Sequence, residues 1–192
     1  MHPPRIVVLV TILGVLVTGC TPTPAPEPSP VPSVPTCVPE FGGEPFPCTQ
    51  AEHDANQKML ARYAEAERVY REYNELSAAE VVARTPIPSS KLTALTTGGY
   101  RRDLGDLRRG ALELATFEGA MKVVKAEPAT LAAGSVGNLS MDMCMDMSEW
   151  TVKFNDGSPG PSGFRSDRIV FDDAAGGPLI ADIMVGKGES CA

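Results

Sequence analysis

From Thr49 onward the apolar side chains keep helical time: Met59, Leu60, Tyr63, Ala66, Tyr70 and Tyr73 recur every three or four residues, and Thr49 and Glu52 stand at capping-box distance. The spacing predicts a helix from Thr49 to about Leu76. Pro86 and Pro88 break the chain after Ala79–Arg84, and Leu92 with Leu95 predicts a short helical piece that stops at Gly98-Gly99. A further helix is predicted over Tyr100–Ala115, its stripe made of Leu104, Leu107, Ala111 and Leu112. After Gly119 the period falls to two, which predicts strands at Met121–Ala126, Gly134–Met147, Glu149–Phe154, Phe164–Asp172 and Pro178–Val185. Helices first and an antiparallel meander afterwards describe an α+β domain whose N-terminal helices cover one face of a curved sheet. Along Gly134–Met147, the residues Leu139, Met141, Met143, Met145 and Met147 fall on one face and Ser140, Asp142, Cys144 and Asp146 on the other. The first face is expected in the core and the second in water.

Upstream of the domain the pattern is of another kind. Met1–Arg5 carries one cation, and Ile6–Val17 is an apolar run that ends in Thr18-Gly19-Cys20. The run is too short for a spanning helix, which needs about 20 residues, and has the form of a signal peptide. Val17-Thr18-Gly19-Cys20 resembles a bacterial lipobox: small residues suit an extended passage through a peptidase cleft, and Cys20 supplies the thiol to be acylated. Two or more acyl chains hold a protein at a membrane where one is marginal. Proline at nearly every second place between Cys20 and Thr36 excludes helix and ladder alike and predicts a polyproline II spacer. Its sixteen residues Thr21–Thr36 reach about 50 Å. The expected organisation is therefore a signal peptide at 1–19, a tether at 20–36, a disulfide-closed loop at 37–48 and the α+β domain at 49–192.

Composition adds three things. A chain of 192 residues holds one ordinary domain, and 43% apolar residues are enough for its core. A net charge of −7 with no Lys/Arg-dense segment lacks the electrostatic footprint of nucleic-acid binding. Five cysteines become an even set once Cys20 is given to lipid. Three connectivities are open to the rest. Cys37–Cys48 with Cys144–Cys191 is favoured, since the first pair is local and the second ties the C-terminal end to a strand.

The candidate chemistry is sparse. The methionine ladder invites Cu(I), but ligands of one ion must converge, whereas alternate residues of a strand stand nearly 7 Å apart. Packing, or the wall of an apolar pocket, suits these adaptable side chains better. Cys-x-x-Cys spacing is missing, and His53 is the one histidine after Cys20, so zinc is not expected and no metal or other cofactor is assigned. Asp142, Asp146, Asp172 and Asp173 form an acidic cluster only if their strands adjoin, and the Asp-x-Asp-x-Asp-Gly pattern of a calcium loop does not occur. Arg101, Arg102, Arg108 and Arg109 lie seven apart in pairs, which predicts a shared solvated face balanced by Asp103 and Asp106, or else a contact with anionic lipid or cell-wall polymer. No Gly-x-Ser-x-Gly, Walker or dinucleotide glycine pattern is present, and His53 stands near a helix start, so no catalytic residue is assigned.

Taken in order, the lipobox, the Pro/Thr tether, the tyrosine-rich helix over Arg62–Leu76, the strand Met143–Val152 and the terminal Gly188-Glu189-Ser190-Cys191 resemble a group of actinobacterial lipoproteins with a nuclear-transport-factor-2-like, cystatin-like domain. The resemblance implies a cone in which helices and sheet enclose a pocket, used in some relatives as an active site, in others for small molecules or for protein contacts. It lends a fold and no reaction. An isomerase on this fold would ask for a tyrosine with buried acids. The expected wall of the pocket comprises Tyr63, Tyr70, Tyr73, Met141, Met143, Met145 and Trp150. The expected role is that of a non-catalytic lipoprotein, held on the extracytoplasmic side of the cell membrane, that binds a small apolar ligand or an envelope protein. The alternative is a phage- or host-encoded module that occludes an envelope protein.

Overall fold

Thr49 starts the first helix as its spacing predicts. Its hydroxyl accepts the Glu52 N–H while the Glu52 carboxylate accepts the Thr49 N–H at 2.7 Å, so two otherwise orphaned donors are satisfied. In this computed structural model, which describes residues 34–174, 176–186 and 191, helix α1 spans Gln50–Val82. It passes the expected end at Leu76 because Ser77–Val82 carries no breaker and continues the inward stripe through Ala78. It stops where Arg84 takes a positive φ of 54° and the Thr85 N–H returns to the Glu80 carbonyl, just before Pro86. The expected signal peptide, Cys20, the expected tether up to residue 33 and the Gly188-Glu189-Ser190 motif lie outside the described residues.

A short helix α2 (Ser90–Ala94) follows, and then α3 (Gly98–Leu114). Gly98-Gly99, expected to end a helix, instead opens α3. The reason is tertiary: the linker before it is drawn onto the sheet, where Leu95 accepts from the Ile180 N–H and Thr97 donates to the Ile180 carbonyl, so the chain must turn into a helix at Gly98, whose φ is +57°.

Among the described residues the strands are β1 (Thr36–Cys37), β2 (Phe46–Pro47), β3 (Ala115–Gly119), β4 (Lys122–Pro128), β5 (Leu139–Asp146), β6 (Trp150–Phe154), β7 (Phe164–Ala174) and β8 (Gly177–Val185). Strand β3 has no counterpart among the strands that the periodicity predicts. The expected simple meander is also corrected: the main sheet runs β4-β5-β7-β8, while β6 leaves it to pair with β3 in a separate two-stranded sheet. The departure is made at a tight turn in which the Asp146 carboxylate accepts the Ser148 N–H and Trp150 donates to the Met147 carbonyl. Extra residues at Val124 in β4 and Ala181 in β8 bulge their ladders and bend the sheet. The fold class is thus as expected, α+β with the long N-terminal helix packed on curved antiparallel strands.

Between α1 and the sheet lies one core. Leu139, Met141, Met143, Met145 and Met147 are all buried, and Ile169, Phe171 and Ile180 meet them from β7 and β8. From α1 come Tyr63, Ala66, Val69, Tyr70 and Tyr73, with Ala66 small enough to let the helix approach closely. The opposite face of β5 is not simply wet. Ser140 and Cys144 are buried, and Asp142 is bound by both arms of the Arg168 guanidinium at 2.8 Å. Both favoured disulfides are in place, Cys37–Cys48 closing the loop before α1 and Cys144–Cys191 joining β5 to the C-terminal end.

Candidate functional site

Strand alternation and helix periodicity bring apolar side chains to one place beside the core. Ala115 and Phe117 point the same way from β3, and Trp150, Val152 and Phe154 the same way from β6, so the small sheet presents a continuous apolar face. Ser77 and Val81 face it from α1 at a four-residue interval, Ala111 and Leu114 from the end of α3. Met121, Met147 and Pro161 complete the wall of a cavity of about 430 Å³. Such a volume is within the range of roughly 300–1,000 Å³ found for small-molecule sites. The Phe117 and Trp150 rings lie 5.7 Å apart, centroid to centroid. Arg165, from β7, contributes the one charged side chain of the lining.

Arg165 does not stand alone. Its Nη2 donates to the Asp167 carboxylate at 2.6 Å, and Asp167, only 1% exposed, also accepts the Gly186 N–H. Among the described residues Arg165 Nε finds no acceptor. Both residues share the inward side of β7 with Ile169 and Phe171, opposite Met145 and Met143 of β5. Tyr70 packs nearby with its hydroxyl 3.7 Å from Met145 Sδ; burial, with the Asp167 carboxylate adding to it, pushes the phenol above its ordinary pKa. A buried tyrosine and acid therefore do meet, but neither Tyr70 nor Asp167 lines this cavity.

Of the seven side chains expected in the pocket wall, Trp150 lines the cavity and the other six fill the interior. Tyr63 donates to Glu40 and so holds the disulfide loop on α1. Tyr73 and Tyr100 share a hydroxyl hydrogen bond of 2.6 Å, with both phenols pushed up by burial. Met141, Met143 and Met145 lie at or below 2% exposure beneath α1. The space expected under the helix is consumed by these large side chains, and the cavity opens one step further along, where β6 swings out to β3. Phe117, Val81, Leu114 and Arg165 join the wall although the sequence patterns do not single them out for it. Arg165 alone carries a visible signal: it and Asp167 occupy the same alternation positions as the core residues Ile169 and Phe171.

The remaining candidates disperse. Arg108 is turned inward between Leu104 and Leu112, which corrects the expected four-arginine solvent face; it forms an ion pair with Glu80, while Arg101, Arg102 and Arg109 stay exposed. The four aspartates do not converge: Asp142 binds Arg168, Asp146 caps Ser148, Asp173 binds Arg62, and Asp172 borders a different cavity of about 560 Å³ with Asp103, Asp182 and Arg102. That larger cavity has a mixed, charged wall around the start of α3 and lacks the continuous apolar face of the smaller one. Among the described residues no three His, Cys, Asp or Glu side chains gather as metal ligands. His53 stands half-buried at the start of α1, its Nδ1 2.8 Å from the Thr36 carbonyl.

No protein-family model matches the chain, and no curated protein does. Solved structures to which it is similar include Aln2 from a Streptomyces species, 11% identical over 65% of this chain and 89% of that one, with a TM-score of 0.43. The intermembrane-space region of the chloroplast protein ARC6 is 9% identical over 65% of this chain and 95% of that one, with a TM-score of 0.42. Likenesses of this size carry no argument about what the chain binds or does.

Proposed function

We propose that this protein is a membrane-anchored lipoprotein of the extracytoplasmic side whose cone-shaped, nuclear-transport-factor-2-like domain binds a small apolar ligand without transforming it. The observation that carries the binding role is the 430 Å³ cavity with its wall of Trp150, Phe117, Val152 and Phe154. An apolar lining with few polar groups is the general form of a small-molecule site. The anchor rests on the sequence at Val17–Cys20, and the pairing of the four other cysteines into two disulfides suits an oxidising compartment.

Trp150 is the only tryptophan, so its emission reports on the cavity without interference. N-phenyl-1-naphthylamine, a neutral apolar dye, is expected to bind the full-length protein and to be sensitised by Trp150. Ala111→Phe, which puts a bulky ring into the cavity from the α3 side, should weaken that signal. A dye that binds neither protein, or both equally, would transfer the role to an envelope-protein partner, whose capture by crosslinking at the membrane is then the test.

A further inference from the structure

The polar end of the ligand can be deduced from the charge balance around Arg165, on the footing that the cavity is a ligand site. Apart from Ser77 and Arg165 every lining side chain is apolar, and Arg165 carries the one charge among them. Arg165 is therefore the group that an incoming ligand must answer. Its positive charge is already balanced by Asp167, which is buried and held in place by the Gly186 N–H. What Arg165 still offers is hydrogen-bond donors at its Nη groups: a guanidinium carries five N–H bonds, Asp167 takes a single contact at Nη2, and 20% of the side-chain surface stays accessible, whereas Nε is itself buried out of reach.

We infer that the cavity selects an apolar molecule ending in an uncharged hydrogen-bond acceptor, a ketone, ester or amide carbonyl, seated on the Arg165 guanidinium. A carboxylate would bring a second negative charge beside Asp167 into an apolar wall, where an unbalanced charge is costly. An ammonium would face Arg165 and offer no acceptor. A plain hydrocarbon offers these donors no acceptor. A neutral carbonyl answers the donors and leaves the charges balanced. Asp167 acts here as a positioning residue: it orients the guanidinium and sets which head group is accepted, without touching the ligand.

The test displaces N-phenyl-1-naphthylamine from the full-length protein with octan-2-one, octanoate and octane, which share a chain and differ at its end. On the unaltered protein octan-2-one should displace the dye at lower concentration than octanoate. Arg165→Met keeps the length and removes the donors; it should weaken octan-2-one about tenfold, as loss of a hydrogen bond to a charged donor does, and leave octane unweakened. Asp167→Asn leaves the guanidinium unbalanced and should move octanoate ahead of octan-2-one, a reversal that a merely structural role would not produce. Octanoate leading on the unaltered protein, or octan-2-one indifferent to Arg165→Met, overturns the inference while dye binding upholds the cavity. Failure of the dye to bind at all overturns both.

Discussion

Glu80 and Arg108 show how much a single pair can carry. Arg108 is almost wholly out of water, and Glu80 is its partner from the neighbouring helix while also accepting the Ser89 N–H. Burial works to raise the Glu80 carboxyl, but the Ser89 hydrogen bonds and the Arg108 guanidinium outweigh it and hold the group below its ordinary 4.5. A depressed folded-state value means that the stabilisation is complete above the unfolded value and is lost as pH falls through the folded one. Glu80→Gln is expected to cost about 3 kcal/mol at pH 7, because Arg108 is left as an unbalanced buried charge. In urea titrations at pH 7 and pH 3 the deficit should shrink on the acid side; an equal deficit at both would show that the carboxylate charge is not what holds the helices. The periodicity of α3 leaves this pair illegible, since Arg108 belongs equally to a polar face and to the stripe of Leu104 and Leu112. Which it joins depends on Glu80, twenty-eight positions earlier.

At the scale of elements, what is local is legible. The capping box, the inward stripe of α1 and the apolar face of β5 each follow from side chains within one or two turns or pleats, and the structure has these where the spacing predicts, although β5 starts at Leu139 rather than Gly134 and its other face is partly buried. What is paired at a distance is not. Strand β3 is five residues long, carries no turn signature before it, and becomes a strand by pairing with β6, Phe117 lying opposite Val152. Its exit is tight: Gly119 has φ +88°, and a Cβ there would lie 1.8 Å from the Glu149 carbonyl oxygen. Gly119→Ala is expected to cost about 1–3 kcal/mol for the backbone alone, more with the clash. Because the strain falls on one wall of the cavity, it should also lower the affinity for the dye; thermal melts and dye titrations on one preparation check both.

The two disulfides differ at this scale as well. Separations of 11 and 47 residues give chain-entropy contributions of about 3 and about 4 kcal/mol. Replacing Cys144 and Cys191 by alanine should therefore lower the melting temperature more than replacing Cys37 and Cys48. The reverse order would mean that the docking of the first loop on α1, through Asn56 to Val38 and Tyr63 to Glu40, depends on its bridge more than chain entropy predicts.

For the whole molecule the prediction concerns the anchor. Cys20→Ala removes the thiol proposed to be acylated, and the protein is expected to leave the membrane fraction and to lose incorporation of labelled palmitate. Retention of both would shift the protein to another mode of attachment and leave the cavity argument untouched. The expected signal run, lipobox and proline spacer are read from composition and order alone, without reference to distant contacts. The helix-then-strand order settled the α+β class for the same reason, since each period is a property of neighbouring residues. Tertiary structure alone decided where the empty space would be. The methionines and tyrosines expected around a pocket are large enough to fill the gap beneath α1, and the cavity arises only because β6 turns away from β5 to meet β3. Volume left over between elements is a difference of long-range placements, and no pattern along the chain records it.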